Sequence, residues 1–80
     1  MVMFIRYKDA HKVINLNNFD ELAIQTECYN KHHIMAKRYV NGREAVATNL
    51  KTCKSESDAI VLYEVLQHAW VSGDKVYEMD

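Results

Sequence analysis

The chain contains no proline and only two glycines, Gly42 and Gly73, among its 80 residues. Long flexible linkers are therefore excluded, and one small domain over residues 1–80 is expected. Ten lysine and arginine residues stand against eleven acidic ones, which gives a net charge of −1. This balance argues against a strongly basic protein built for sequence-independent phosphate binding. Apolar residues make up 49% of the chain, a share typical of globular proteins.

Long apolar runs are also missing. The longest runs hold five residues, as in 59–63, far fewer than the roughly 20 that a membrane helix needs. Residues 1–6 lack the basic segment and long apolar stretch of a signal peptide. Two cysteines without such a signal indicate reduced thiols. We therefore expect a cytoplasmic protein that does not contact a membrane.

The first two-thirds of the chain alternates between apolar and polar residues, as half-buried strands do. The alternation predicts five short strands, ending near residue 50, which lie at 2–7, 12–16, 19–29, 34–40 and 43–50. The last third has helical periodicity instead. This order predicts an α+β fold: an antiparallel β-meander of about five strands, then one C-terminal helix packed on one sheet face.

Asn41-Gly42 is the strongest turn signal, and it allows two registers. A two-residue loop pairs Val40 with Arg43. A type I turn with a bulge at Gly42 pairs Tyr39 with Arg43 instead. We favour the second register because it gives a larger apolar face and sets Arg38 opposite a glutamate.

A helix is predicted at about 56–72. Ser55 or Ser57 can cap its first turn, and Gly73 ends it. Five residues recur at helical spacing and should face the sheet, namely Ala59, Leu62, Leu66, Ala69 and Trp70. Ile60 and Val71 fall outside this stripe. A short tail follows at 74–80.

Several segments together carry a resemblance. They are Ile-Arg-Tyr-Lys-Asp at 5–9, Val-Ile-Asn-Leu-Asn-Asn at 13–18, the Asn41-Gly42 turn, Ser-Glu-Ser-Asp-Ala at 55–59 and Gly-Asp-Lys-Val-Tyr at 73–77. The chain resembles small uncharacterised proteins of bacterial phages and mobile elements. The resemblance implies five strands, one helix and a cytosolic setting, but no activity. Accessory proteins and inhibitors of host proteins are common among phage proteins of this size.

Catalytic motifs are lacking. The sequence has no glycine-rich phosphate loop, no Gly-x-Ser-x-Gly and no Cys-x-x-Cys. Two cysteines and four histidines can form a Cys–His pair in many ways, but nothing supplies an orienting group or an oxyanion hole. We expect no enzyme activity and no cofactor.

A zinc site is the third interpretation of the sequence, after a protein-binding surface and a nucleic-acid-binding surface. In a meander, Cys28, His32, His33 and Cys53 lie at one sheet end, and two thiolates with two imidazoles suit zinc. The cysteines would lie about 10 Å apart across two strand spacings, and adjacent histidines point to opposite faces. We therefore favour no metal, with a buried Cys28, a loop Cys53 and solvated histidines.

The same topology predicts a basic rim at that sheet end. Its candidate contact residues are Lys8, Lys12, Lys31, His32, Lys51 and Lys54. Such a rim could dock nucleic acid or an acidic protein surface. Solvated turns are often charged, however, which makes nucleic acid the second choice.

An apolar surplus on the helix points to protein partners. Ile60 and Val71 lie off the core stripe, and the chain holds five tyrosines and one tryptophan, residue types that are enriched at interfaces. The first choice is therefore a protein-binding module of unknown partner, with a homodimer as one form of it.

Overall fold

The structure is a computed structural model that describes residues 3–73 and 75–79. Within them the elements are β1 Phe4–Tyr7, β2 Lys12–Asn15, a 3₁₀ turn Leu16–Asn18, β3 Glu21–Cys28, β4 Lys31–Val40, β5 Arg43–Cys53, α1 Glu56–Ser72 and β6 Val76–Met79. The predicted α+β class, with antiparallel strands and a C-terminal helix, is confirmed. Positions Val2, Asp74 and Asp80 of the predicted first strand and tail lie outside the described residues.

The predicted single meander is wrong, because the described strands form two sheets of three. One sheet has the order β3-β4-β5 and is an antiparallel meander. The other has the order β2-β1-β6, in which β1 pairs antiparallel with β2 and parallel with β6. The predicted tail therefore contains a strand, which pairs with the beginning of the chain.

The 3₁₀ turn separates the two sheets. The Asn15 side chain accepts a hydrogen bond from the Asn17 amide at 3.0 Å, which closes an Asx turn. The Leu16 amide donates to the Met3 carbonyl at 2.8 Å, and the Leu16 side chain is fully buried. The chain therefore turns away from β1 before β3 begins.

The hairpin follows the two-residue loop that we did not favour. Val40 pairs with Arg43, and Asn41 and Gly42 both have positive φ, 54° and 78°, as a type I′ turn requires. Register shifts between Arg38 and Tyr39 and between Ile34 and Met35 indicate two bulges. Because of these bulges, the offset between paired residues changes along the hairpin. The alternation of apolar and polar residues in the sequence does not reveal such changes.

Helix α1 spans the predicted residues and is capped at both ends. The Ser55 side chain accepts from the Asp58 amide at 3.2 Å, and Gly73 adopts the left-handed conformation at φ 81°. The helix contacts β3, β4 and β5. Its buried side chains, Ala59, Leu66 and Ala69, join those of both sheets in one core. Trp70 completes the contact by donating to the Asn17 side chain at 3.3 Å.

Candidate functional site

His32 lies on the inner face of β4 and is buried, contrary to the expected solvated turn. Its Nδ1 lies 3.0 Å from Thr26 Oγ1 and its Nε2 lies 2.9 Å from the Tyr29 carbonyl. Since a carbonyl only accepts, Nε2 carries the hydrogen and Nδ1 accepts from the threonine hydroxyl. Both ring nitrogens are thus engaged within the fold.

His33 points to the opposite, outer face, as expected for adjacent residues of a strand. Its Nε2 lies 3.2 Å from Glu27 Oε1, and its Nδ1 lies 2.9 Å from Thr52 Oγ1. Asn49 donates to the same threonine at 2.9 Å, and Lys31 lies 3.7 Å from Glu27. The hydrogen bond from His33, followed by the charge of Lys31, lowers the pKa of Glu27. Sequence reasoning missed this cluster because the three-strand register creates it.

The two cysteines exchange the environments that we expected. Cys28 is exposed and donates to the Asn30 side chain at 3.0 Å, whereas Cys53 is buried opposite His32. Burial, followed by the negative charge of Asp58, raises the pKa of the Cys53 thiol, which keeps it protonated near neutral pH. A protonated thiol is a poor nucleophile and a poor metal ligand. Among residues 3–73 and 75–79, no three histidine, cysteine or acidic side chains form a metal-binding group.

The basic rim is divided between the two sheets. Lys31 begins β4, Lys51 lies in β5 and Lys54 follows it, so these three share one end of the β3-β4-β5 sheet with His32. Lys8 and Lys12 belong to the β1–β2 hairpin of the other sheet. The Tyr7 hydroxyl joins the sheets by donating to the Leu50 carbonyl at 2.7 Å.

Acidic or aromatic side chains contact three of the rim lysines. Lys8 forms an ion pair with Glu78 at 3.3 Å, and Lys31 pairs with Glu27. The Lys12 ammonium lies 4.7 Å from the centre of the Tyr7 ring. The two carboxylates reduce the positive charge that a phosphate backbone would meet.

The exposed side of α1 carries the candidate apolar contact. Ile60 and Val71 are both exposed, as expected from their position off the core stripe. Eleven residues apart, they lie on one line of the helix surface. We call these two residues the outer helix face.

A groove with a volume of about 420 Å³ lies beside this face. Val61, Val65 and Ala69 of α1 form one side, Tyr77 of β6 forms the other, and Glu64 and His68 supply polar groups. Sequence reasoning missed the groove because it depends on β6. The surplus of valine on the helix was the available signal.

No family model, curated protein or solved structure matches the chain. The resemblance to phage and mobile-element proteins therefore stays a hypothesis. Within the part of the chain that the structure describes, no helix has the length and apolar character of a membrane span.

Proposed function

We propose that the protein is a binding module that recognises another protein through the outer helix face. One observation carries this proposal: the outer helix face leaves two large apolar side chains exposed on one line of α1. Ile60 is 40% exposed and Val71 74%. Single apolar residues on a surface are common, but these two lie along the line of the helix that points away from its buried side chains.

The size of the outer helix face indicates how much more the partner must contact. Covering the exposed part of each side chain contributes about 1 kcal/mol, half of the value for full burial. Two residues then supply about 2 kcal/mol, which is less than the roughly 4–15 kcal/mol that association costs. A stable complex therefore also needs contacts around these two residues.

The proposal assigns no catalytic step to the protein. Cys53 pairs with His32 across the sheet, but its raised pKa disfavours the reactive thiolate. Because both cysteines are free thiols, we place the protein in the cytoplasm. If the resemblance to phage proteins holds, the partner is a host protein and the module is an accessory factor or an inhibitor.

Affinity capture from a native lysate tests the proposal with three proteins: wild type, Val71→Lys and Val13→Lys. Val13 is an exposed valine of β2, away from α1, so its variant controls for the added charge. We expect a partner that wild type and Val13→Lys retain and Val71→Lys loses, because a lysine in an apolar contact must be desolvated.

Salt dependence separates this contact from the nucleic-acid alternative. Capture through the outer helix face should change little between about 50 and 200 mM salt, whereas capture through the basic rim should fall steeply. Identical capture by wild type and Val71→Lys would contradict the proposal. Capture that disappears with salt or nuclease would favour the rim.

A further inference from the structure

Strand β6 presents an open edge for pairing. The Phe4 amide donates to the Lys75 carbonyl at 2.8 Å, and the Lys8 amide donates to the Met79 carbonyl at 3.3 Å. Backbone groups of alternate residues in a strand point to opposite sides. The amides and carbonyls of Val76 and Glu78 therefore point away from β1, where no strand among the described residues pairs with β6.

The other edge strands are less suited to pairing. Both β3 and β5 contain register shifts, and such bulges are a common means of blocking edge-to-edge association. Strand β2 is regular, and the Leu16 amide bond to Met3 shows by the same alternation that Val13 and Asn15 point outward. The groove beside α1, however, borders β6.

Apolar surface lies directly beside the β6 edge. Tyr77 is paired with the buried Ile5, so its side chain is on the inner face of the sheet, where it lines the groove. Val61 and Val65 stand across the groove, one helical turn apart. A strand added next to β6 would therefore gain main-chain hydrogen bonds and also cover apolar side chains.

We propose that this edge binds a second copy of the chain, with the two β6 strands antiparallel and Tyr77 opposite Tyr77. In this register Val76 of one copy faces Glu78 of the other, and each such pair exchanges two main-chain hydrogen bonds. The outward-pointing groups are thus all used. A two-fold axis perpendicular to the sheet places both inner faces on the same side, so each Tyr77 lies beside the groove of the other copy.

Charge disfavours the neighbouring register that is centred on Glu78. Centring the pairing on Glu78 would set two carboxylates directly opposite each other, which destabilises a strand pair. Centring it on Tyr77 sets each carboxylate opposite a valine instead. Arg6 and Lys8 lie 3.6 and 3.3 Å from the Glu78 carboxylate, so each glutamate already has cationic neighbours in its own sheet.

The outer helix face is not part of this contact. Ile60 and Val71 lie on a different line of α1 from Val61 and Val65, about 100° away. The dimer therefore goes beyond the proposed function and leaves that face open. Val71→Lys should abolish partner capture without changing the mass in solution, so either proposal can fail alone.

The first experiment is sedimentation velocity of wild type, Val76→Pro and Val13→Pro. Both valines are edge residues of the same sheet, 54% and 58% exposed, and both amides point outward. Proline removes the outward amide while sparing the bonds to β1. We expect a wild-type dimer of twice 9.4 kDa, at least about tenfold weaker dimerisation for Val76→Pro, and no change for Val13→Pro. A wild-type monomer at about 200 µM, or equal effects of both prolines, would overturn the proposal.

The second experiment tests the register by disulfide formation, in a Cys28→Ser background that removes the exposed thiol. The Cα atoms of opposite residues at a non-hydrogen-bonded position lie about 4.5 Å apart, which is within the Cα–Cα range of a disulfide. Tyr77→Cys should therefore form a covalent dimer on mild oxidation, and Val76→Cys should not. The reverse pattern, or no cross-link from either, would refute the arrangement, even if Val76→Pro proves unfolded by circular dichroism.

Discussion

Replacing His32 by alanine tests whether this histidine stabilises the fold or serves a ligand. His32 is 4% exposed, and both its ring nitrogens are bonded, to Thr26 and to the Tyr29 carbonyl. The neighbouring His33 provides a matched control, because it lies on the outer face and its bonds to Glu27 and Thr52 are at the surface. The two substitutions remove the same side chain from adjacent positions.

The structure gives the expected size of the loss. Two hydrogen bonds contribute about 1 kcal/mol each. Thr26 and Tyr29 are exposed residues, so water can bond the groups that His32 leaves, and the full desolvation penalty does not apply. Losing the buried ring adds a packing cost, which brings the total to about 2–3 kcal/mol. That is a large part of the roughly 4–12 kcal/mol expected for 80 residues.

Urea unfolding followed by the fluorescence of Trp70, the only tryptophan, measures this loss. We expect the midpoint of His32→Ala to fall by about 2–3 M, since a chain of this size loses about 1 kcal/mol per molar urea. His33→Ala should lose less than His32→Ala, because the His33 side chain is 17% exposed and its partners Glu27 and Thr52 stay hydrated at the surface. Equal losses would refute the assignment. A chelator that destabilised wild type as much as His32→Ala does would indicate a metal ligand instead.

Three further variants test the helix packing and the contacts of Glu27 with His33 and Lys31 on the sheet. Leu66→Ala should lower the free energy of unfolding by about 2–5 kcal/mol, because it leaves a cavity at a buried site. Val61→Ala, at an exposed site of the same helix, should lower it by less than about 1 kcal/mol, as measured by urea unfolding at low protein concentration. Similar losses for both variants would contradict the packing. The lowered pKa of Glu27 means that its contribution is present above its unfolded pKa and is lost as pH falls through the folded value. The stability difference between wild type and Glu27→Gln should therefore shrink below about pH 4.5, and a difference that is equal at pH 3 and pH 7 would refute this.

Local signals predicted the parts of the fold that local chemistry determines. Ser55 and Gly73 mark the ends of α1 because their caps involve residues within one turn. The Asn41-Gly42 turn is recognisable because few other residue pairs adopt two positive φ values. The middle of the chain, from β3 to β5, pairs with its sequence neighbours and was predicted as a meander.

Contacts distant in sequence were missed. Strand β6 pairs with β1 across almost the whole chain, and the four residues 76–79 alternate too briefly to be recognised as a strand. The Asx turn at Asn15 was an available local signal that the chain leaves the first sheet. The four candidate metal ligands do not gather, because the alternation of β4 sends His33 outward while His32 and its partner Cys53 are buried. Cys28 follows the register shift of β3 and is exposed.

The parallel pairing of β6 links the fold to both proposed surfaces. Because β6 follows α1 and returns beside β1, it brings Tyr77 against one flank of the helix and leaves Val71 on another. The flank beside Tyr77 continues into an open strand edge, which suits a partner that supplies a strand of its own. The outer helix face has no such edge, so a partner there must supply side-chain contacts alone. The two proposed surfaces thus have different requirements, and a dimer formed at the β6 edge would display two copies of the outer helix face.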